Sequence, residues 1–381
     1  MELPPLSLYV HLPWCVRKCP YCDFNSHAVK GQIPAGEYVG ALLKDLEQDL
    51  PLVWGRTVHS VFFGGGTPSL FSAEQIQTLM SGIRGLVRLS PEAEVTLEAN
   101  PGTTEYDSFS AYRDAGINRV SLGVQSFNDD SLTAIGRIHG RKEVEDAIAG
   151  IQRAGIGNFN IDLMFALPGQ SLRDAVRDVR YAIDSGPTHI SHYQLTLEPN
   201  TAFHANPPPL PGDDAAWQMQ EECDSVLRDR GFSQYEISAW SRPGAECRHN
   251  LNYWRYGDFL GIGAGAHAKI TLPAENAVRR RIRLRHPDAW MKQAGTGNAL
   301  AEDRSLDAPE RIFEFFLNQL RLRGGVLKKQ FEPRTGLGWD EVSGPVNEAV
   351  EKGLLKDENG VLAPTTLGWR FNNEIQALFL P

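Results

Sequence analysis

The chain has 381 residues, too many for one small module and enough for a large domain with an appendage. Its 41% hydrophobic and 22% charged content excludes a disordered or collagen-like chain. A formal net charge of −9 excludes a global positive field able to hold nucleic acid or an anionic membrane.

The start, Met1-Glu2-Leu3-Pro4-Pro5, lacks the basic and apolar segments of a signal peptide. No stretch approaches the roughly 18 consecutive apolar residues of a membrane helix. The expectation is a cytoplasmic protein with no integral membrane segment, peripheral to a membrane only through partner proteins. Of five cysteines, Cys15, Cys19 and Cys22 crowd together while Cys223 and Cys247 stand apart, which is ligand spacing and a poor disulfide framework.

Along the chain, β-branched or aromatic runs predict strands at Ser7–His11, Val58–Phe63, Glu94–Ala99, Arg119–Val124, Asn158–Met164 and His189–Leu195. Between them, helical periodicity predicts helices at Glu37–Leu50, Ala73–Leu86, Glu105–Ala115, Lys142–Ala154 and Ser171–Ile183. This alternation implies right-handed parallel crossovers and an α/β fold, either a doubly wound sheet or a partial (β/α)6 barrel. The strand ends carry polar or glycine residues: Tyr9 and His11, Gly64–Pro68, Glu98 and Asn100, Gln125, Asp162, and Tyr193 with Gln194. In barrels, function gathers at such C-terminal ends, so one shared site is expected.

The proline-rich stretch Asn206–Gly212 ends the pattern and reads as a stiff linker. Beyond it come a helix from Asp213 or Asp214 through Arg230, a strand over Ser233–Trp240, a loop rich in aromatics, and the run Gly261–His267. Gly261-x-Gly263-x-Gly265 lacks the spacing and placement of a dinucleotide loop and reads as a tight bend. From about Pro309, a helix at Arg311–Leu322 and a hairpin over Gly353–Pro364 around Asn359-Gly360 suggest a small winged-helix-like domain. The sections are therefore 1–205, a partial barrel; 206–300, an α+β extension; and 301–381, the C-terminal domain. Glu348, Glu351, Asp357, Glu358 and Glu374 leave that last section without a basic recognition surface, so no nucleic acid partner is expected.

Cys15-x3-Cys19-x2-Cys22 follows the first strand and supplies three thiolates. Three thiolates on a four-iron cubane leave one iron open, whereas a structural zinc site takes four closed ligands, for which His11 or His27 is available here. The glycines of Gly64-Gly65-Gly66-Thr67-Pro68 close the next strand and let backbone approach a ligand; alone they read equally as a turn. Together the two motifs resemble the radical S-adenosylmethionine (SAM) superfamily over roughly residues 6 to 200. The resemblance implies a [4Fe-4S] cluster on Cys15, Cys19 and Cys22, with SAM at its open iron. It also implies reductive cleavage of the SAM sulfonium to a 5′-deoxyadenosyl radical, wherever that chemistry is retained, and hence an electron donor.

Tyr9–Cys15, Phe63–Ser69, Glu98–Pro101, Gly123–Phe127, Gly136–His139 and Asn160–Met164 are similar to the oxygen-independent coproporphyrinogen III oxidase family. From that family, Tyr9, Gly65, Gly66, Thr67, Glu98, Gln125, Arg137 and Asp162 are implied to contact SAM. The set suits a ligand with a carboxylate for a guanidinium, ribose hydroxyls for acceptors and cationic centres for a carboxylate. The oxidases carry a further cysteine two positions beyond the triplet, where this chain has Phe24. His249-Asn250-Leu251-Asn252-Tyr253-Trp254 instead resembles the signature of the family's haem-chaperone branch. That resemblance implies haem binding, one per chain, and transfer to haem-accepting respiratory proteins, with His249, Asn250, Tyr253 and Trp254 associated with haem; a homodimer is a separate expectation that the resemblance does not carry. Oxidative decarboxylation of coproporphyrinogen III is the alternative, and a zinc-stabilised binding module is a third reading.

Read from its residues alone, the His249 segment has two readings. Its imidazole can ligate haem iron among aromatic rings, or it belongs to an aromatic mini-core. Cys247 is a further candidate iron ligand. No Cys-x-x-Cys-His occurs, so covalent c-type attachment has no support. The basic run Arg279–His286 is taken as a solvated strand face, with haem propionates or an acidic partner as the alternative.

Overall fold

Six parallel strands, Leu6–Leu12, Thr57–Gly65, Arg88–Ala99, Arg119–Gln125, Asn158–Phe165 and His189–Gln194, lie side by side in chain order in the computed structural model. The model describes residues 1–102 and 108–381. Helices cross over between successive strands, as the alternating pattern predicts. Their starts follow local chemistry: Ser72 and Ser171 each cap a helix reciprocally with the residue three positions on, Gln75 and Asp174. Leu6–Leu12 and the Val61–Phe63 part of the second strand are buried, largely apolar runs, whereas His189–Gln194 is mostly polar. The predicted helix Glu105–Ala115 is seen as Phe109–Asp114, and positions 105–107 lie outside the described residues.

The sheet continues past the proline-rich linker, because both ends of the six-strand array offer unpaired edges. On the first strand's edge, Asp258–Ile262 adds in parallel, followed by His267–Leu272, Ala277–Arg283 and Leu300–Ser305 in antiparallel order. On the sixth strand's edge lie Ala239–Ser241 and then Ser233–Glu236, completing a twelve-stranded sheet. The single strand expected over Ser233–Trp240 is therefore a short hairpin. Breaking at Ile237-Ser238 lets its second arm pair with His189–Ser191 and its first arm with the second.

One core runs through the barrel strands and this extension, with Leu260, Ile262, Ile270 and Trp290 packed among residues of the first 200. A second core, built from Phe315, Phe316, Phe331, Val346, Leu362, Ile375 and Phe379, belongs to the C-terminal section and reaches the extension through Tyr256. There the helix Ala308–Gln319 begins at a capping box of Asp307 and Glu310. The hairpin Leu355–Glu358 with Val361–Pro364 turns at Asn359 and Gly360, both left-handed, and pairs with Val326–Leu327 into a three-stranded sheet. Among the described residues no helix is long and apolar enough to cross a membrane.

Candidate functional site

The three motif cysteines lie on the loop leaving the first strand, all half-buried and free of disulfides. The loop is pinned at both ends: the backbone N–H of Val29 donates to Cys15 at 2.9 Å and that of His27 to Pro13 at 2.7 Å. Burial pushes the Cys15 and Cys22 thiols above their ordinary pKa, the penalty that a bound cation would remove. Among the described residues no three His, Cys, Asp or Glu side chains converge as ligands of one metal ion. A cubane makes no such demand, since its thiolates sit at separate corners. His11, one of the two histidines considered for zinc, has both ring nitrogens engaged, by the Tyr9 hydroxyl at 3.0 Å and the Asn25 carbonyl at 2.9 Å.

The glycine motif is continuous with the second strand and packs directly on the cysteine loop. Gly65 has φ +111°, and a Cβ there would collide with the His11 ring; a Cβ on Gly66 would meet the Trp14 carbonyl. Backbone bonds from Gly66 to Leu12 at 2.8 Å and from Thr67 to Trp14 at 2.7 Å close the contact. The motif is thus a rigid splice between two strand ends. From it a polar chain runs to the cysteines: Asn100 Nδ2 donates to Thr67 Oγ1 at 2.9 Å, Arg137 Nη2 donates to Asn100 Oδ1 and to the Gly123 carbonyl, each at 2.6 Å, and Arg137 Nη1 stands 3.6 Å from Cys19 Sγ. Asn100, quoted in the family motif but not assigned a role by it, is the link.

The remaining residues implied for SAM ring the same strand ends. Glu98 Oε2 accepts from the Gly65 N–H at 3.1 Å, and burial, with Asp162 second, pushes its carboxyl up to about 8. Asp162 is likewise raised by burial and accepts from Asn160 Nδ2 at 2.8 Å. Gln125 is held at φ +71°, a conformation costing about 1–3 kcal/mol for a non-glycine residue, and its Oε1 accepts from the Tyr193 hydroxyl at 2.9 Å. A carboxyl held near neutrality beside glycine backbone and a guanidinium fits a ligand carrying both a cationic centre and a carboxylate.

A cavity of about 740 Å³ opens from these strand ends towards the extension. Tyr9, His11, Gly65 and Glu98 line it from the strand ends, Tyr253, Trp254, Phe259, His267, Arg280 and Arg285 from the extension, and Phe24 from the cysteine loop. The position that holds an extra cysteine in the oxidases is therefore an exposed phenyl ring on the cavity wall.

His249 is not presented to this cavity. It is 1% exposed on the short helix Arg248–Trp254, with Nδ1 at 3.0 Å from Ser60 Oγ and Nε2 at 2.9 Å from the Tyr253 hydroxyl. Burial pushes its pKa down to about 3, so the ring is neutral, and it stacks on Phe62. Asn250, half-buried on the same helix, does not line the cavity. Cys247 is fully buried against Glu94, at 3.6 Å. The aromatic mini-core reading describes this helix, and Tyr253 and Trp254 carry its face to the cavity.

From Arg279 to Arg283 the basic run is not a solvated face, whereas Arg285 and His286 are exposed. Arg283 is buried between Asp45 and Asp49 of the first helix, Ala35–Val53; Arg281 pairs with Asp49 and Asp303; Arg280 pairs with Glu314; and Arg279 pairs with Asp303. Strand alternation carries these side chains to acidic neighbours that are remote in sequence. Asn25 was not singled out by sequence, yet its amide donates to the Ala264 carbonyl at 2.9 Å and the Arg285 carbonyl at 2.8 Å, tying the cysteine loop to the Gly261–His267 bend. That run is the tight bend expected, with Gly265 at φ +77° and no room for a Cβ beside Asn25.

Comparison with known proteins places these features. Residues 9–182 match the radical SAM superfamily and residues 306–371 match the HemN C-terminal domain. The chain is 47% identical over 380 residues to the heme chaperone HemW of Escherichia coli, spanning 100% of this chain and 99% of that protein. It is 46% identical to HemW of Haemophilus influenzae, again over 100% and 99%. It is 35% identical to the mitochondrial radical S-adenosyl methionine domain-containing protein 1 of Bos taurus, over 92% of this chain and 81% of that one. Among solved structures, coproporphyrinogen III oxidase (HemN) of Escherichia coli superimposes with TM-score 0.83 at 23% identity, covering 99% of this chain and 90% of that one. End-to-end identity, the cysteine triplet and the barrel built around it agree: the chain belongs to the HemW family of heme chaperones within the radical SAM superfamily.

Proposed function

We propose that the chain is a haem chaperone that binds haem and passes it to acceptor proteins, and that it carries a [4Fe-4S] cluster and SAM. The observation that carries this reading is the 47% identity, end to end, with a protein named for that activity. Cys15, Cys19 and Cys22 hold the cluster. Tyr9, Gly65, Gly66, Thr67, Glu98, Gln125, Arg137 and Asp162 hold SAM, with Arg137 suited to its carboxylate and Glu98 to a cationic centre. When bound, cluster and SAM supply one-electron reductive chemistry at the sulfonium. The chain's own contribution is positional: Arg137 braces Cys19 through the Asn100 link, and Gly65 and Gly66 keep the cluster loop against the second strand.

Section 1–205 is the cofactor-bearing part, 206–300 supplies haem-facing walls including Tyr253 and Trp254, and 301–381 closes the far side. The acceptors are respiratory haem proteins, an electron donor reduces the cluster, and the chain acts in the cytoplasm, reaching membranes only through those partners. The oxidase reading draws on the HemN fold, but Phe24 occupies the place of the oxidases' additional cysteine.

The test is a haem titration of the anaerobically reconstituted protein, followed in the Soret band, alongside a coproporphyrinogen III turnover assay. Saturation near one haem per chain without porphyrinogen turnover is the expected result. Turnover without saturable haem binding would replace this reading with the oxidase.

A further inference from the structure

The cavity between the strand ends and the extension is lined by two histidines, and they differ in one respect that matters to a metal. Both ring nitrogens of His11 are engaged, by Tyr9 and Asn25. The His267 imidazole is exposed and makes no hydrogen bond or ion pair among the described residues. His267 begins the strand His267–Leu272, paired with Ile282 and two residues from Lys269, so it projects from the sheet face that carries Phe259 and Arg280 into the same cavity.

We propose that haem seats in this cavity with the His267 imidazole as an axial ligand of its iron and the Arg285 guanidinium beside a propionate. The inference rests on the haem-chaperone reading and assigns that cargo a place and a ligand.

Three observations carry it. The volume, about 740 Å³, lies within the range of roughly 300–1,000 Å³ of sites that enclose a ligand of this class. Its walls include Tyr253, Trp254 and Phe259, flat apolar groups suited to a macrocycle. Arg285 is exposed at the cavity and has no ion pair among the described residues, whereas Arg279, Arg280, Arg281 and Arg283 are all committed to carboxylates.

His249, the histidine of the family signature, is excluded from direct ligation by its own two hydrogen bonds and by burial. It acts instead as a positioning residue: its Nε2 fixes the Tyr253 hydroxyl, and Tyr253 packs edge-on against Phe259 at 4.4 Å between ring centroids, so the aromatic wall is set from behind. One exposed imidazole in an open cavity also suits cargo that must leave again. A porphyrin held there lies in the same cavity as Glu98 and Gly65, next to the SAM site proposed above.

The test is a haem titration of the full reconstituted chain as wild type, His267→Ala, Arg285→Gln and His249→Gln, with Soret position and ferric electron paramagnetic resonance recorded at saturation. The expected result for His267→Ala is loss of the imidazole-ligated spectrum and affinity weaker by about tenfold or more, with added imidazole restoring the spectrum. Arg285→Gln weakens binding without moving the ligand signature, and His249→Gln keeps that signature. Cluster content and melting temperature of His267→Ala match wild type, since the side chain is exposed and unbonded. Wild-type affinity and spectrum in His267→Ala would overturn the inference and leave the chaperone reading standing; absence of saturable binding by the wild type would overturn both.

Discussion

Arg283 Nη2 lies 2.7 Å from Asp49 Oδ2 with both side chains 1% exposed, joining the strand Ala277–Arg283 to the first helix of the barrel across 234 residues of sequence. Asp45 accepts from Arg283 Nε at 3.0 Å and from the Gly263 N–H at 3.1 Å, so the same cluster also fixes the glycine bend that leads into His267. Desolvating these charges is offset only while all partners are present. Replacing Arg283 by Ala leaves Asp45 buried without a cation and Asp49 with Arg281 alone, and is expected to cost about 3–5 kcal/mol, read from urea unfolding at neutral pH. A loss below about 1 kcal/mol would mean that the cluster is solvated.

His249 is expected to matter through packing and acid stability. Removing its ring in His249→Ala deletes two hydrogen bonds and opens a void, for a loss of about 2–4 kcal/mol. Because burial depresses its folded pKa to about 3, the unfolded chain takes up a proton that the folded protein refuses. Its contribution is therefore complete above the unfolded value of about 6.5 and is lost as pH falls below it. Wild-type stability should fall more steeply than that of His249→Ala between about pH 6 and 4, by up to about 1.4 kcal/mol per unit. Parallel pH profiles would show that the ring titrates normally.

Glu98 trades stability for ligand binding. Its folded pKa, raised to about 8, lies above the ordinary carboxyl value, so in the cofactor-free protein its contribution is present at low pH and is lost as pH rises from about 4.5 through 8. Glu98→Gln keeps an acceptor for the Gly65 N–H and removes the charge. It should stabilise the cofactor-free protein by about 1–3 kcal/mol near pH 8 while weakening SAM binding, the first read by thermal unfolding and the second by equilibrium dialysis. Unchanged SAM affinity would remove Glu98 from the site.

Cys19→Ser is expected to lose the broad absorbance of a four-iron cluster after anaerobic reconstitution, together with acid-labile sulfide. The fold should survive, because Cys19 is half-buried on a loop and takes no part in either core. A full complement of iron and sulfide in the variant would overturn the ligand assignment.

The cavity and the helix behind it show where reading residues in line stops working. His249 stands in the sequence among Tyr253, Trp254, Tyr256 and Phe259, and that company suits a ligand and a mini-core equally. The choice turns on Ser60, contributed by the second barrel strand, which occupies Nδ1 from 189 residues away. His267 carried no motif signal beyond closing a glycine run. Its availability follows from where the strand Ala277–Arg283 pairs and where the arginines find their acids.

By itself the sequence determined what local spacing and periodicity encode: six strand and helix units, the capped helices, the cysteine loop after the first strand and the glycine splice after the second. Each depends on neighbours a few residues apart, whose geometry the backbone fixes directly. Only the tertiary structure decided that the extension joins both edges of the same sheet, that Arg279, Arg280, Arg281 and Arg283 of the basic run are paired with carboxylates, and that one cavity links Glu98 to His267. Those outcomes depend on burial and on charge partners brought together from opposite ends of the chain, and desolvation, which sets both the ion pairs and the histidine pKa values, exists only once the chain has folded.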